Sequence, residues 1–317
     1  KAADTVQTAM AGRGDSDKQQ LYKTSVIQVD RIFDEIRINK EVEKKEIDRI
    51  VDKLIKATME SPDEMIAFVL RNERSEPSFG LSAVNTVILS ILVGSTLKMD
   101  QVRTKTLASA ALLHDIGMVK VPDEIIKKNA NLSIDEIKKM RTHTLYSYKI
   151  IAKEMGFSEE VGLIALQHHE RWDGKGYPRQ LSGKNIAVEA RIVSVVDAFE
   201  AMVKEKPYRN SMIAYSAMRQ LLNDNSRRFD SEILKIFIKS VGIYPLGSFV
   251  ILNNGIIGRV IKVNENAPLR PAVRLLVDKT GKKFENDEGK ILDLINEKEI
   301  FIAKAIDPNA ISAKKMI

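Results

Sequence analysis

The chain has 317 residues, of which 44% are hydrophobic and 29% charged, with a net charge of +7 and no cysteine. This length predicts two or three domains with a sizeable core. The lack of cysteine excludes disulfides, zinc–thiolate sites and thiol nucleophiles, and fits a reducing cytoplasm. The basic balance suits a phosphate-bearing partner, an anionic membrane surface or nucleic acid, but a lysine-rich solvated surface explains it more simply. No basic patch interleaved with aromatics argues for nucleic-acid binding.

Residues 1–17 are polar and aperiodic and read as a flexible lead-in. The chain opens on Lys1, as a fragment or processed chain would, and no signal-peptide pattern follows. From residue 18 to residue 60, apolar residues recur at helical spacing: Val26, Val29, Ile32, Phe33 and Ile36, then Ile47, Ile50, Val51, Leu54 and Ile55. Two amphipathic helices are predicted, with a charged break over 39–45. Ser61-Pro62-Asp63-Glu64 reads as the cap and first turn of a third helix through Leu70.

No charged residue lies between Pro77 and Leu97, a run long enough to span a membrane. However, Ser82, Asn85, Thr86 and Ser90 fall on one helical stripe, which predicts a buried helix with one face towards a polar cavity rather than a membrane span. Further helices are predicted over 81–97, 101–114, 123–128, 133–140, 143–155, 158–169, 187–204, 211–223 and 230–240. Ser133 with Glu136 fits a capping box, and Ser158 opens a first turn with two acids. Near Tyr244 the pattern changes to β-rich runs around Asn-Gly and Lys-Thr-Gly turns. The expected fold is therefore mainly α, an all-helical core with N-terminal helices and a small C-terminal β appendage. The boundaries are an N-terminal helical region over 1–76, a core domain over 77–243 and a β-rich extension over 244–317. The N-terminal region could be a dimerisation element, a sensor remnant or a link to an upstream domain.

All four histidines lie between residues 114 and 169. His114-Asp115 ends an apolar helix, His143 opens another, His168-His169 ends a third, and Asp197 interrupts the apolar run "ARIVSVVDAFEAM". Any one of these alone reads as a satisfied core group. Six together call for a shared explanation, because burying unpaired carboxylates and imidazoles is costly. Metal coordination supplies it. Imidazole with carboxylate and no thiolate favours iron or manganese over structural zinc. Asp115 is the natural bridging carboxylate between two ions, and two ions about 3.5–4 Å apart can activate a water and clamp a phosphoryl oxygen. No serine–histidine–acid nucleophile and no Walker loop is evident.

"HDIG" at 114–117, His143, "HHERWDGKGYP" at 168–178 and "VDAFEAM" at 196–202 resemble the HD-GYP domain of bacterial signalling proteins, over roughly residues 77–240. The resemblance implies an HD-type helical core with a two- or three-metal centre that hydrolyses a phosphodiester bond of cyclic di-GMP in the bacterial cytoplasm. It implies that His114 and Asp115 are ligands at the heart of catalysis, that His143, His168 and His169 complete one metal site, and that Asp197 belongs to the other. Asp173, Gly174, Gly176, Tyr177 and Pro178 form the loop that names the family. Tyr177, Lys120, Lys206 and Arg209 are the candidate substrate contacts.

The sequence also departs from that pattern. Ser82 stands where the family usually has a histidine, and Ser78 where some members have a glutamate. Serine hydroxyls are poor ligands for these ions, so two ions are expected and not a third. Met118 replaces a lysine, and "KPYR" over 206–209 replaces "RPYR". The alternative function is therefore a weak or silent domain that acts as a cyclic di-GMP receptor or contacts a signalling partner. A further alternative is a hydrolase for another nucleotide.

Overall fold

The structure, a computed structural model, describes residues 17–71, 78–203, 214–224, 227–280, 282, 284 and 289–306. The helices run α1 (Asp17–Arg37), α2 (Lys44–Glu60), α3 (Pro62–Arg71), α4 (Phe79–Thr96), α5 (Gln101–Leu113), α6 (Asp123–Ile126), α7 (Ile134–Arg141), α8 (His143–Lys149), α9 (Glu159–Gln167), α10 (Val188–Val203), α11 (Ala214–Asn223) and α12 (Ser231–Val241). A 3-10 turn (Ile116–Lys120) follows α5, and α8 runs on into a π turn (Ile150–Glu154). The predicted capping box is present: Ser133 Oγ accepts from Glu136 N, and Glu136 Oε2 accepts from Ser133 N.

Helix α4 is the hub. With no charge to keep wet, it is buried from Gly80 to Gly94 except at Ser82, and α1, α2, α3, α5, α10 and α12 pack around it. Full burial of one aliphatic side chain stabilises a fold by about 1.5–3 kcal/mol, and α4 supplies a long series of them. Its length and apolarity would suffice for a membrane span, but 78% of it is buried inside the protein. Its first turn is capped twice: Ser78 Oγ accepts from Leu81 N at 3.0 Å, and Asp30 Oδ1 of α1 accepts from Gly80 N at 2.7 Å. The second bond docks the N-terminal helix onto the core.

In the polar stripe of α4, Ser82 and Asn85 meet side chains, whereas the buried hydroxyls of Thr86 and Ser90 make no hydrogen bond among the described residues. Ser82 Oγ donates to Glu200 Oε2 at 3.2 Å, Asn85 Nδ2 approaches Glu200 Oε1 at 3.3 Å, and Tyr22 OH donates to Asn85 Oδ1 at 2.7 Å. A buried carboxylate on α10 is thus satisfied from α4, and α4 in turn from α1.

The C-terminal unit is a five-stranded antiparallel sheet: β1 (Phe249–Leu252), β2 (Ile257–Lys262), β3 (Ala272–Val277), β4 (Ile291–Asp293) and β5 (Ile302–Ile306), in the order β4-β3-β2-β1-β5. The Asn254-Gly255 turn closes the first hairpin, where Gly255 N donates to Leu252 O at 2.9 Å. Val250, Leu252, Val260, Val273 and Leu294 centre an apolar cluster separate from the helical core. Tyr215 of α11 stacks on Tyr244 with ring centroids 4.9 Å apart and joins the two units.

Candidate metal centre

Three histidines are set by the same local device. His114 and His168 are the C-cap residues of α5 and α9, and His143 follows the end of α7. The last carbonyls of a helix have no partner within it. The Nδ1 of His114 lies 2.8 Å from Ala111 O, that of His143 2.8 Å from Met140 O, and that of His168 2.6 Å from Ala165 O. A carbonyl can only accept, so Nδ1 carries the hydrogen and Nε2 is turned towards the interior.

The three Nε2 atoms converge on one carboxylate. His143 Nε2 and His168 Nε2 lie 3.3 Å and 3.6 Å from Asp115 Oδ1, whereas His114 Nε2 lies 3.5 Å from Asp115 Oδ2 and 3.7 Å from Asp197 Oδ1. Two donor groups result, each with ligand atoms within 4.8 Å of one another: Asp115, His143, His168 and His169 in one, and His114, Asp115 and Asp197 in the other. Asp115 belongs to both, one oxygen facing each way.

The Nε2 atoms of His114, His143 and His168 are buried and make no hydrogen bond. A buried polar atom left unmade costs about 1–3 kcal/mol, so three at one spot need a common partner. Ligand atoms roughly 2.1 Å from one ion, at ordinary coordination angles, lie roughly 3.0–3.4 Å apart, close to the separations found here. The donor set is that of a divalent-cation site.

Charge within the cluster points the same way. Burial opposes a charged His114, but Asp115 and Asp197 outweigh it and hold its pKa well above the usual imidazole range. Burial would raise Asp115 and Asp197, yet the facing His114 brings both below the usual carboxylate range. Burial, with neighbouring imidazoles, drives His168 well down and pushes His169 down to about 4. At neutral pH, His168 and His169 are therefore lone-pair donors. The two carboxylates draw positive charge to the point where a cation would sit.

The neighbouring segments lock this geometry. Ser147 Oγ donates to His114 O at 2.7 Å and accepts from Gly117 N at 2.9 Å, which ties the "HDIG" turn to α8. A Cβ on Gly117 would lie 2.0 Å from His143 O, so only glycine lets the turn pass so close to the helix that brings His143. A Cβ on Gly176 would likewise lie 2.6 Å from His169 O, which lets the "GKGYP" loop fold back onto the ligand pair. Asp173 accepts from Arg171 and from Lys175 N, and its own N–H donates to Arg227 O. Gly174 sits beside it at φ 75°, and the Tyr177–Pro178 peptide is cis. The Tyr177 ring lies 4.8 Å from the His169 ring and 6.3 Å from the His143 ring.

Of the other expected contacts, Lys120 is exposed and donates to Asn39 Oδ1 at 2.8 Å, in the turn after α1. The structure engages it there rather than in the ligand cluster. Lys206 and Arg209 lie outside the described residues. Ser82 Oγ donates to Glu200.

Sequence reasoning missed Glu170 and Arg141. The Glu170 carboxylate is buried and accepts from Arg179 N at 2.7 Å and Leu181 N at 2.9 Å, clamping the exit of the loop. An acid held between the ligand pair and the glycine turn was the available signal. Arg141 places its guanidinium 4.9 Å from the centre of the Tyr177 ring. Nothing in the local sequence marks that contact.

A profile of the HD domain matches residues 68–233. The chain belongs to the HD domain family. Within that family, a KOW domain associated with the HD domain matches residues 249–314, the β unit. The chain is 30% identical over 235 residues to the cyclic di-GMP phosphodiesterase PdeB of Borreliella burgdorferi, an alignment covering 74% of this chain and 62% of that protein. It is 29% identical over 244 residues to the cyclic di-GMP phosphodiesterase PA4108 of Pseudomonas aeruginosa, covering 77% and 58%. This HD chain thus spans about three fifths of the length of those relatives. Among solved structures, Bd1817, an HDG"Y"P protein from Bdellovibrio bacteriovorus, superposes with a TM-score of 0.58 at 18% identity, covering 74% of this chain and 76% of its own. That likeness bears on the fold, a helical HD core.

Proposed function

We propose that this chain is a metal-dependent phosphodiesterase that hydrolyses cyclic di-GMP in the bacterial cytoplasm. The observation that carries the reading is the convergence of three buried, unpartnered Nε2 atoms on the two oxygens of Asp115. The names of the two relatives support the choice of substrate. In this reading His143, His168, His169 and Asp115 hold one ion, and His114, Asp115 and Asp197 hold a second. Oxygen and imidazole donors suit iron or manganese. When bound, such ions lower the pKa of a water and neutralise charge on a phosphoryl oxygen.

The protein's own residues do the rest. The helix-end carbonyls of Ala111, Met140 and Ala165 fix each imidazole so that no donor must turn during reaction. Asp115 holds the two groups in register. Burial of His114, His143 and His168 keeps bulk water from competing for their Nε2 atoms. Tyr177 closes one side of the cluster against His169, where its ring and hydroxyl can orient a nucleotide. Lys206 and Arg209 are further candidates for the substrate phosphates.

The second reading, a receptor with little turnover, is favoured by one observation. Ser82 is committed to Glu200, and the Asp197 group keeps three protein donors against four in the other. The test is incubation of iron- or manganese-loaded protein with cyclic di-GMP, beside calorimetry of binding. Linear dinucleotide or GMP as product supports the phosphodiesterase. Tight binding without product supports the receptor, and neither result sinks both.

A further inference from the structure

Arg141 is the last residue of α7 and stands two residues before His143, whose Nε2 faces Asp115. Its guanidinium rests on the Tyr177 ring, and that ring lies against His169. A permanent cation is therefore held one aromatic ring from the ligand cluster. Among the described residues no carboxylate lies within ion-pair distance of it, although α7 itself carries Asp135 and Glu136. Those two acids are taken by Lys138 and Lys128.

The centre of the guanidinium lies over the Tyr177 ring, and among the described residues no hydrogen bond or ion pair engages its N–H groups. A guanidinium fork matches two oxygens of a phosphate, which an ammonium does not. The loop is held by its neighbour segment, where the carbonyls of Arg227 and Arg228 accept from Asp173 N and Trp172 N. Tyr177 thus stands between the carboxylate-bearing cluster and the Arg141 cation, whereas Arg228 is engaged by Asp224 and Phe229.

We propose that Arg141, braced on Tyr177, binds the phosphodiester group that is not at the metal ligands, and thereby selects nucleotides carrying two phosphodiesters. This rests on the phosphodiesterase reading above. Arg141 is a substrate-positioning residue that contributes to KM and not to the chemistry of the cleaved bond.

The test compares metal-loaded wild-type protein with Arg141→Ala and Arg141→Lys, on cyclic di-GMP and on bis(4-nitrophenyl) phosphate, which has one phosphodiester. Metal content serves as the check on folding. The expected result for Arg141→Ala is a KM for cyclic di-GMP raised roughly tenfold to a hundredfold, the loss of a charge-assisted hydrogen-bonded pair, with kcat nearly unchanged. Arg141→Lys recovers only part of this. The single-phosphate probe is handled alike by all three proteins. An unchanged KM for cyclic di-GMP, or an equal loss on both substrates, overturns the proposal. If the protein binds the messenger without turnover, Kd replaces KM in the same comparison. Wild-type protein that prefers another cyclic dinucleotide overturns the messenger assignment alone, and Arg141 is then judged on that nucleotide. Hydrolysis of the single-phosphate probe with no binding of any two-phosphate nucleotide overturns both.

Discussion

The two donor groups share Asp115 but are built differently. The group of His143, His168 and His169 draws on helix ends from α7 to α9, and each of His143 and His168 is anchored on a carbonyl within its own chain segment. The group of His114 and Asp197 spans α5 and α10, and Ser82 of α4 is bound to Glu200. Both halves use helix-end histidines, but the first gathers its donors within residues 115–169 whereas the second reaches on to Asp197 of α10. The first should tolerate change elsewhere in the core, whereas the second should be the half that sets whether two ions are held.

The comparison breaks most directly at Asp115. Asp115→Ala removes a donor from both groups, so we expect metal content to fall at both positions and turnover to drop by more than about 100-fold, beyond the usual loss for an outer ligand partner. Retention of a full complement of metal would show that the carboxylate is not shared. Next in size is the contrast between Asp197→Ala and His168→Ala. The former leaves two donors in its group and should cost about one ion per chain; the latter leaves three and should weaken its ion roughly 10- to 100-fold while still filling at saturation. Equal losses, read by elemental analysis across a metal titration, would erase the distinction.

A smaller effect is expected from Ser82→His, which offers an imidazole from α4 and releases Glu200 Oε2 from the serine bond. Affinity for the second ion should rise by about tenfold. An unchanged titration would mean that α4 does not face the cluster. The smallest effect concerns α7, whose Met140 carbonyl orients His143. Hydrogen bonding from Lys128 and Ser133 lowers the Glu136 carboxyl to about 2 from its usual 4.5. A lowered carboxylate pKa adds stability that is complete above the unfolded value and is lost as pH falls through the folded one. Glu136→Ala should therefore lower the melting temperature slightly at pH 7, and the gap from wild type should close between about pH 4.5 and 2. A gap that is constant with pH would assign the effect to packing alone.

Residue order along the chain determined much of this protein. The uncharged run over 77–97 could only be a buried or membrane helix, Ser133 and Glu136 wrote a capping box, and Asn254-Gly255 wrote a hairpin. The same order determined the ligand types, since every histidine and the two aspartates in apolar runs were visible as a set. These signals are legible because capping, turn formation and periodic burial act over a few residues. Tertiary structure alone decided how Asp115 divides its two oxygens, that Ser82 and Asn85 of α4 answer Glu200 and Tyr22, that Lys120 is drawn to Asn39, and that Arg141 reaches Tyr177. Each of those pairings joins segments separated in the chain, and its partner is chosen by the relative placement of packed helices, for which no local pattern carries a code.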